Sequence, residues 1–267
     1  MRDLSAAKGL LIDLDGTLYH GHEMIAGADR LIRSLRARRI PYLYVTNNSS
    51  ATPEEVADRL SAMGIPAVAD EVCTSAQAAA GYIVAKSPGA SVYVIGEAGL
   101  TAALEAAGLH LTEQSPDYVV QGIDRSLSYD RVARAVAFIR GGAVSVMTNP
   151  DLLLPTAGGL MPGAGSIGAM LQAASGVKPV LIGKPSDVIM NYALDRLGVR
   201  AEETWVVGDN IATDIAAGIA AGCGTVLVLT GLTNADNREH YEKEAGCRAE
   251  LVCENLDALI DRLDRER

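Results

Sequence analysis

Short apolar runs rich in strand-forming residues alternate with amphipathic helical stretches over almost the whole chain, and this alternation constrains the fold more than any other feature. The strand candidates are Leu10–Asp13, Tyr42–Thr46, Ser91–Ile95, Tyr118–Gln121, Val144–Thr148, Val180–Ile182, Trp205–Val207 and Thr225–Leu229, with a weaker run at Glu250–Cys253. Helical patterns lie between them, among others at Pro53–Met63, Tyr129–Arg140, Asp187–Leu197 and Asp214–Ala221. Continuous apolar strands separated by helices are what parallel sheets covered on both faces require, so the fold class is α/β. At 267 residues the chain is about twice the usual domain size, and nine runs fit two small sheets better than one. With one Trp, nine Tyr and one Phe, the cores must be built from Ala, Val, Leu and Ile.

Composition narrows the function classes. The formal charge is −10, so the chain repels nucleic acid unless it hides a basic stripe. The one candidate stripe is Arg30, Arg33, Arg36, Arg38 and Arg39. It shares a helical repeat with Leu31, Ile32 and Leu35, which marks it as a solvated helix face. Cys73, Cys223, Cys247 and Cys253 form no metal-ligand spacing, and free thiols in a reducing compartment are expected. No apolar run approaches the roughly 18 residues of a membrane span, and the N-terminus meets a strand-like run by Gly9 without a leader pattern. A soluble, cytoplasmic protein is the expectation.

The sharpest local feature is Leu11-Ile12-Asp13-Leu14-Asp15-Gly16-Thr17, an apolar strand ending in two aspartates and a glycine. Side chains at i and i+2 of an extended chain leave on one side, so both carboxylates can face one site. Two carboxylates held together repel, and a bound cation keeps them ionised. The plain alternative is a polar strand end. Three further features weigh against it. Thr46 ends the second apolar run and Asn47 follows, a hydroxyl and free amides suited to phosphate oxygens. Gly183-Lys184-Pro185 ends the Val180–Ile182 run, with Ser186 or Asp187 able to begin a helix. Gly208-Asp209-Asn210 ends the Trp205–Val207 run, with Thr213-Asp214 just beyond. Lys-Pro and Gly-Asp are routine turns when alone. Together they gather acids, a hydroxyl and a lysine at strand ends, where open α/β sheets bind ligands.

In these motifs the chain resembles the haloacid dehalogenase superfamily of phosphohydrolases: Asp13-x-Asp15-Gly16-Thr17, Thr46-Asn47, Lys184 and Gly208-Asp209-x-x-x-Thr213-Asp214 stand in the family's order. The phrases Val45-Thr46-Asn47-Asn48-Ser49-Ser50 and Ile182-Gly183-Lys184-Pro185 are similar to its NagD-like branch, which carries a large α/β cap. The resemblance implies a Rossmann-like parallel-sheet core with an inserted second α/β domain. Spacing says where the insert goes. Asp15 to Thr46 is 31 residues, room for one helix and one strand, whereas Thr46 to Lys184 is 138 residues. The expected division is a core of residues 1–77 and 178–267 and a cap of residues 78–177.

The resemblance also implies roles. Asp13 would be the nucleophile that forms an aspartyl-phosphate, and Asp15 the general acid and base. Mg²⁺ would be held by the Asp13 carboxylate, the Asp15 backbone carbonyl and Asp209, with water completing six oxygens. Thr46, the Asn47 amide and Lys184 would hold the phosphoryl oxygens, and Asp214 would orient Lys184 or a metal-bound water. The implied function is a Mg²⁺-dependent phosphatase acting on a small-molecule phosphate monoester such as a sugar, glycerol or nucleotide phosphate. A phosphotransferase or phosphomutase of the same superfamily and a non-catalytic binding protein are the alternatives, the last disfavoured because every acid is present. A dehalogenase needs no second acid, so Asp15 argues against one. Neither nucleic acid nor membrane is an expected partner. Oligomeric state stays open, although caps of this size often provide a homodimer surface in the family.

Other features weigh less. Gly163-x-Gly165-x-x-Gly168 satisfies the dinucleotide fingerprint and has Asp187 nineteen residues on, but it follows Thr156–Pro162, a Gly/Pro-broken stretch read as no strand. A helix-opening turn is the better reading. His20 and His22 are read as exposed flap residues without ligand partners, and Tyr19 as part of an apolar wall. Asn149 and Asp151 follow a second Thr-Asn strand end and are candidates for substrate contact. Which ester is the substrate depends on cap residues that the sequence does not single out.

Overall fold

A computed structural model describes residues 2–156 and 159–264 of the chain. It divides into two units. One comprises the chain up to Thr46, Glu54–Cys73 and everything from Lys184 on; the other comprises Asn47–Pro53 and Thr74–Gly183. The sequence-based bound at 78 cuts a helix, and the bound at 177 falls in a connection short of the division at Gly183. Residue 78 lies inside the Ser75–Lys86 helix, and residue 177 precedes a strand still bonded to the second unit's sheet.

The first unit holds a six-stranded sheet in the order Leu251–Cys253, Gly224–Val228, Thr204–Gly208, Gly9–Ile12, Tyr42–Thr46, Val72–Thr74. The pairings among the first five are parallel. The four inner strands are buried along their whole length, as sheets covered on both faces demand. Ile12 is level with Val207 on one side and Tyr44 on the other, so Asp13, Thr46 and Asp209 all emerge at the carboxyl edge. Strand order reverses at the Gly9–Ile12 strand, because later strands add beside it on the opposite side from Tyr42–Thr46. That reversal opens the crevice in which α/β sheets bind ligands. The arginine-rich segment forms the Ala28–Ala37 helix, with Leu31, Ile32 and Leu35 buried. Four of the five arginines of the stripe, Arg30, Arg33, Arg36 and Arg38, pair with Asp257, Asp29, Glu71 and Asp264.

The second unit has a five-stranded parallel sheet, Val180–Leu181, Val144–Met147, Tyr118–Gln121, Ser91–Ile95, His110–Leu111. Tyr93, Ile95 and Val119 pack there against Ala135, Ile139, Ile167 and Leu171 of its helices. The Val180–Ile182 run therefore belongs to this sheet and not to the one that carries Asp13. It is a two-residue, half-buried edge strand, too short for its apolar pattern to say which sheet it joins.

A second correction concerns Thr156–Pro162. Leu153–Thr156 and Gly159–Pro162 form an antiparallel ribbon, so a strand does precede Gly163; residues 157–158 lie outside the described residues. The ribbon is not a parallel βαβ unit, and the glycines have a packing reason instead. A Cβ on Gly163 or Gly165 would overlap the carbonyls of Asp151 and Pro150, and one on Gly168 would overlap the Met147 side chain. The Ala164–Ser175 helix can lie against its neighbours only with glycine on that face. The four cysteines are free, three of them buried. No helix among the described residues is long and apolar enough to cross a membrane.

Overpacking of this kind costs about 1–3 kcal/mol. Gly165→Ala should lower the urea midpoint of unfolding accordingly, while NAD binding is absent from both variant and parent. Specific NAD binding that the substitution abolished would instead restore the dinucleotide reading.

Candidate active site

The Gly9–Ile12 strand hands over to the site through one more sheet contact, the Asp13 N–H donating to the Val207 carbonyl at 2.9 Å. The chain then turns sharply. The Leu14 carbonyl accepts from the N–H groups of Thr17, Leu18 and Tyr19, and Gly16 takes a left-handed φ of 84°. Only glycine fits that conformation beside Asp209, whose carboxylate a Cβ would overlap. The turn leads into the Tyr19–His20 and Glu23–Met24 hairpin.

Lys184 is the centre of the arrangement. It is almost wholly buried, and its Nζ donates to Asp13 Oδ1, to Asp214 Oδ1 at 2.6 Å and to the Val45 carbonyl at 3.2 Å. Burial alone would favour the neutral amine, but Asp13 and Asp214 outweigh it and hold the ammonium well above its ordinary pKa. Asp13 Oδ2 accepts from the Thr17 hydroxyl at 3.2 Å, and Thr17 also lies 3.4 Å from Asp209 Oδ1. Asp209 Oδ2 accepts from the Leu232 N–H at 2.6 Å. Asp214 Oδ2 accepts from the Asn210 N–H at 3.1 Å, so both of its oxygens are engaged. It reaches Lys184 from a single π-turn, Ile211–Ile215, where a regular helix start was expected; such turns often mark functional sites.

The electrostatics are unbalanced. Carboxylate oxygens of Asp13, Asp209 and Asp214 come within 4.8 Å of one another. Burial, then the charges of Asp13 and Asp214, push Asp209 up to about 8. Burial and Asp13 push Asp214 up to about 6 against the pull of Lys184. One ammonium does not compensate this many acids, and an all-oxygen donor set with surplus negative charge fits a hard divalent cation. Asp15 stands apart from the three-carboxylate cluster, at an exposed position. The crowding of its carboxyl by surrounding chain and the Asp13 charge raise its pKa, partly offset by His20 and Arg59.

The remaining sequence candidates fall in two places. Thr46 is buried at the end of its strand in the first unit. Asn47, Asn149 and Asp151 belong to the second unit and meet there. The Asn149 side-chain amide donates to the Asn47 carbonyl at 2.8 Å, the Asn47 amide to Asp151 Oδ2 at 3.5 Å, and the Asp151 N–H to Asn149 Oδ1 at 3.1 Å. Tyr19 is buried beneath the Arg59 guanidinium, 5.5 Å from its ring centre, and Arg59 donates to its hydroxyl. His20 is exposed as read, and its Nε2 lies 2.7 Å from the Thr230 carbonyl. Sequence reasoning gave no role to Thr17, although the Asp-Gly-Thr turn contains it. The Leu232 contact leaves no side-chain signal, because it is made by main chain.

A family model described as haloacid dehalogenase-like hydrolase matches residues 10–110, and a related hydrolase model matches residues 181–259. The chain is 50% identical over 233 residues to the 5'-nucleotidase YutF of Bacillus subtilis, covering 87% of this chain and 90% of that protein. The chain belongs to the haloacid dehalogenase-like hydrolases. It is 46% identical to an acid sugar phosphatase of Staphylococcus aureus over 86% of this chain and 89% of that one. Among solved structures, the p-nitrophenyl phosphatase from Archaeoglobus fulgidus superposes with a TM-score of 0.91 at 34% identity, covering 96% and 98% of the two chains. A glycerol phosphate phosphatase from Mycobacterium tuberculosis in complex with magnesium gives 0.88 at 37% identity, covering 97% and 79%. These relatives are of the NagD-like type, and this haloacid dehalogenase-like hydrolase is a phosphoric monoester hydrolase.

The raised Asp209 carboxyl has a consequence for metal-free stability. Its pKa rises from 3.8 in the unfolded chain to about 8 in the folded one, so the folded state holds more protons between those values. Stability contributed by this group is therefore lost as pH rises through that window. In urea titrations with EDTA, Asp209→Asn should gain on the parent as pH goes from 5 to 7.5, by about 1 kcal/mol or more. A constant difference across that range would mean that Asp209 is not charge-strained.

Proposed function

We propose that the chain is a Mg²⁺-dependent phosphatase that hydrolyses a small phosphate monoester through an aspartyl-phosphate on Asp13. The observation that carries this reading is the grip on the Asp13 carboxylate. Lys184 and Thr17 each take one oxygen, at the end of the sheet's central strand, beside carboxylates that need a cation. A nucleophile held by both oxygens loses little entropy on attack.

Asp13 attacks phosphorus, the bond from phosphorus to the ester oxygen breaks, and Asp15 delivers its proton to the departing alcohol. A raised Asp15 pKa supports the acid role, since more of the carboxyl is protonated near neutral pH. Water then attacks the phosphorus, Asp15 takes its proton, and the bond to Asp13 breaks to release inorganic phosphate. The Thr46 hydroxyl, the Asn47 amide joined directly after it and Lys184 hold the phosphoryl oxygens, and Asn149 and Asp151 brace Asn47 within its own unit. Asp214 keeps Lys184 charged and in place. Mg²⁺ fits the Asp13 and Asp209 carboxylates and the Asp15 carbonyl, and when bound it supplies positive charge for the transferring group. The names of the relatives favour nucleotide, sugar, glycerol and aryl phosphates as the substrate class.

Activity towards p-nitrophenyl phosphate should vanish with EDTA and return with Mg²⁺, with one inorganic phosphate released per turnover. Retention of phosphate on an acceptor alcohol would indicate a phosphotransferase instead. Asp13→Asn should lose at least about 10⁴-fold in kcat. Asp15→Asn should lose about 10²–10⁴-fold on an alkyl phosphate and clearly less on p-nitrophenyl phosphate, whose leaving group needs no proton. Equal losses on both esters would remove Asp15 from the acid role.

A further inference from the structure

A cation-binding carboxylate works only if its oxygen is held where the ion will sit, and the segment that follows the Gly224–Val228 strand is wrapped around Asp209. The Leu232 N–H bonds Asp209 Oδ2 at 2.6 Å, and the Thr233 N–H bonds the Asp209 carbonyl at 3.2 Å. The segment is pinned at both ends. On one side the Thr230 hydroxyl donates to the Gly16 carbonyl at 2.8 Å, and His20 Nε2 lies 2.7 Å from the Thr230 carbonyl. On the other, the Asn237 side-chain amide donates to the Leu232 carbonyl at 3.0 Å.

Space is as tight as the bonding. A Cβ on Gly231 would overlap Asp209 Oδ2 and come within 2.7 Å of the Gly16 carbonyl oxygen. Asp209 Oδ2 is thus wedged between two glycines and capped by one N–H. Its other oxygen is left on the side of Thr17 and the Asp13 cluster. Leu232 itself is exposed, so its N–H and not its side chain faces the site, whereas Thr233 beside it is buried.

From this we infer that the Thr230–Thr233 segment, clasped to the nucleophile turn through Gly16 and His20, is a positioning device that sets the affinity of Asp209 for its cation. The inference rests on the Mg²⁺ reading above. It assigns positioning roles to His20, Thr230 and Gly231. Groups that orient a metal ligand from behind typically change metal affinity by 10- to 100-fold.

The test uses the full chain, stripped of metal, with MgCl₂ titrated in a calorimeter and, separately, in turnover of p-nitrophenyl phosphate. Gly231→Ala introduces the overlap, and Thr230→Val removes the Gly16 bond with little change of shape. Thr230→Val carries the test if the alanine variant does not fold. The expected result is a calorimetric Mg²⁺ dissociation constant raised about 10–100-fold, matched by the Mg²⁺ needed for half-maximal rate. At saturating Mg²⁺, kcat and the KM for ester should stay within about threefold of the parent. A merely structural segment would lower thermal stability equally with and without Mg²⁺. The clasp predicts that the Mg²⁺-induced rise in Tm shrinks. Unchanged Mg²⁺ affinity in a folded variant overturns the inference, as does a kcat loss that saturating Mg²⁺ leaves in place. Should the parent itself bind no Mg²⁺, the function proposed above fails first, and that result is distinguishable because it needs no variant.

Discussion

Everything at the carboxyl edge of the first sheet depends on one buried ammonium. Lys184 touches the nucleophile candidate Asp13, the second acid Asp214 and the Val45 carbonyl at once. Without those acids a buried lysine would lose its proton, and without the lysine the acids would be buried charges with no counter-ion. The interaction is mutual but incomplete, because Asp209 sits beside the same acids without a cation of its own and is driven towards protonation. The fold therefore leaves a deficit of positive charge at one place. That deficit is the physical basis for expecting a divalent cation, whose charge would in turn admit an anionic substrate to a protein of net charge −10.

Much of this was legible in the sequence because the informative residues stand at the ends of long, fully buried runs. Leu10–Ile12, Tyr42–Thr46, Trp205–Val207 and Thr225–Val228 are unmistakable as strands, and Asp13, Thr46-Asn47 and Asp209 at or just beyond three of these ends are conspicuous. Short elements gave no such signal. Val72–Thr74, His110–Leu111 and the two-residue hairpin arms at Tyr19–Met24 are below the length at which a period of two can be seen. Val180–Leu181 was visible as a run, yet two half-buried residues cannot tell which sheet they join. The hydroxyl of Thr17 and the N–H of Leu232 were missed for different reasons. A threonine in a turn is ordinary, and a main-chain donor is common to every residue except proline.

The glycines divide in the same way. Gly16 carries a conformational signal, a left-handed φ after an acidic strand end, and turn chemistry predicts it. Gly208 and Gly231 have no such φ. They are required because Asp214 and Asp209 lie where a Cβ would go. Close approach of this sort is a property of the assembled site, so it emerges only once the neighbouring strand and turn are in place. The same holds for Gly163, Gly165 and Gly168, which match a dinucleotide fingerprint in spacing but serve helix packing against Pro150, Asp151 and Met147. Spacing identified the glycines; only the neighbours explain them.

A site crowded in this manner favours chemistry over stability. Backbone donors and steric walls hold Asp209 and Asp214 in single orientations before any ligand arrives, so little reorganisation remains when charge develops in the reaction. The same rigidity prevents the acids from swinging apart to relieve their repulsion, and burial keeps water from screening it. Relaxing the walls would make the metal-free protein more stable and the carboxylates less ready to bind. The two effects have one cause, since a cation entering between fixed acids would relieve the repulsion that burdens the metal-free protein. The clasp around Asp209 and the grip of Lys184 on Asp13 are therefore parts of one design, in which the first sheet's rigidity is converted into affinity for positive charge.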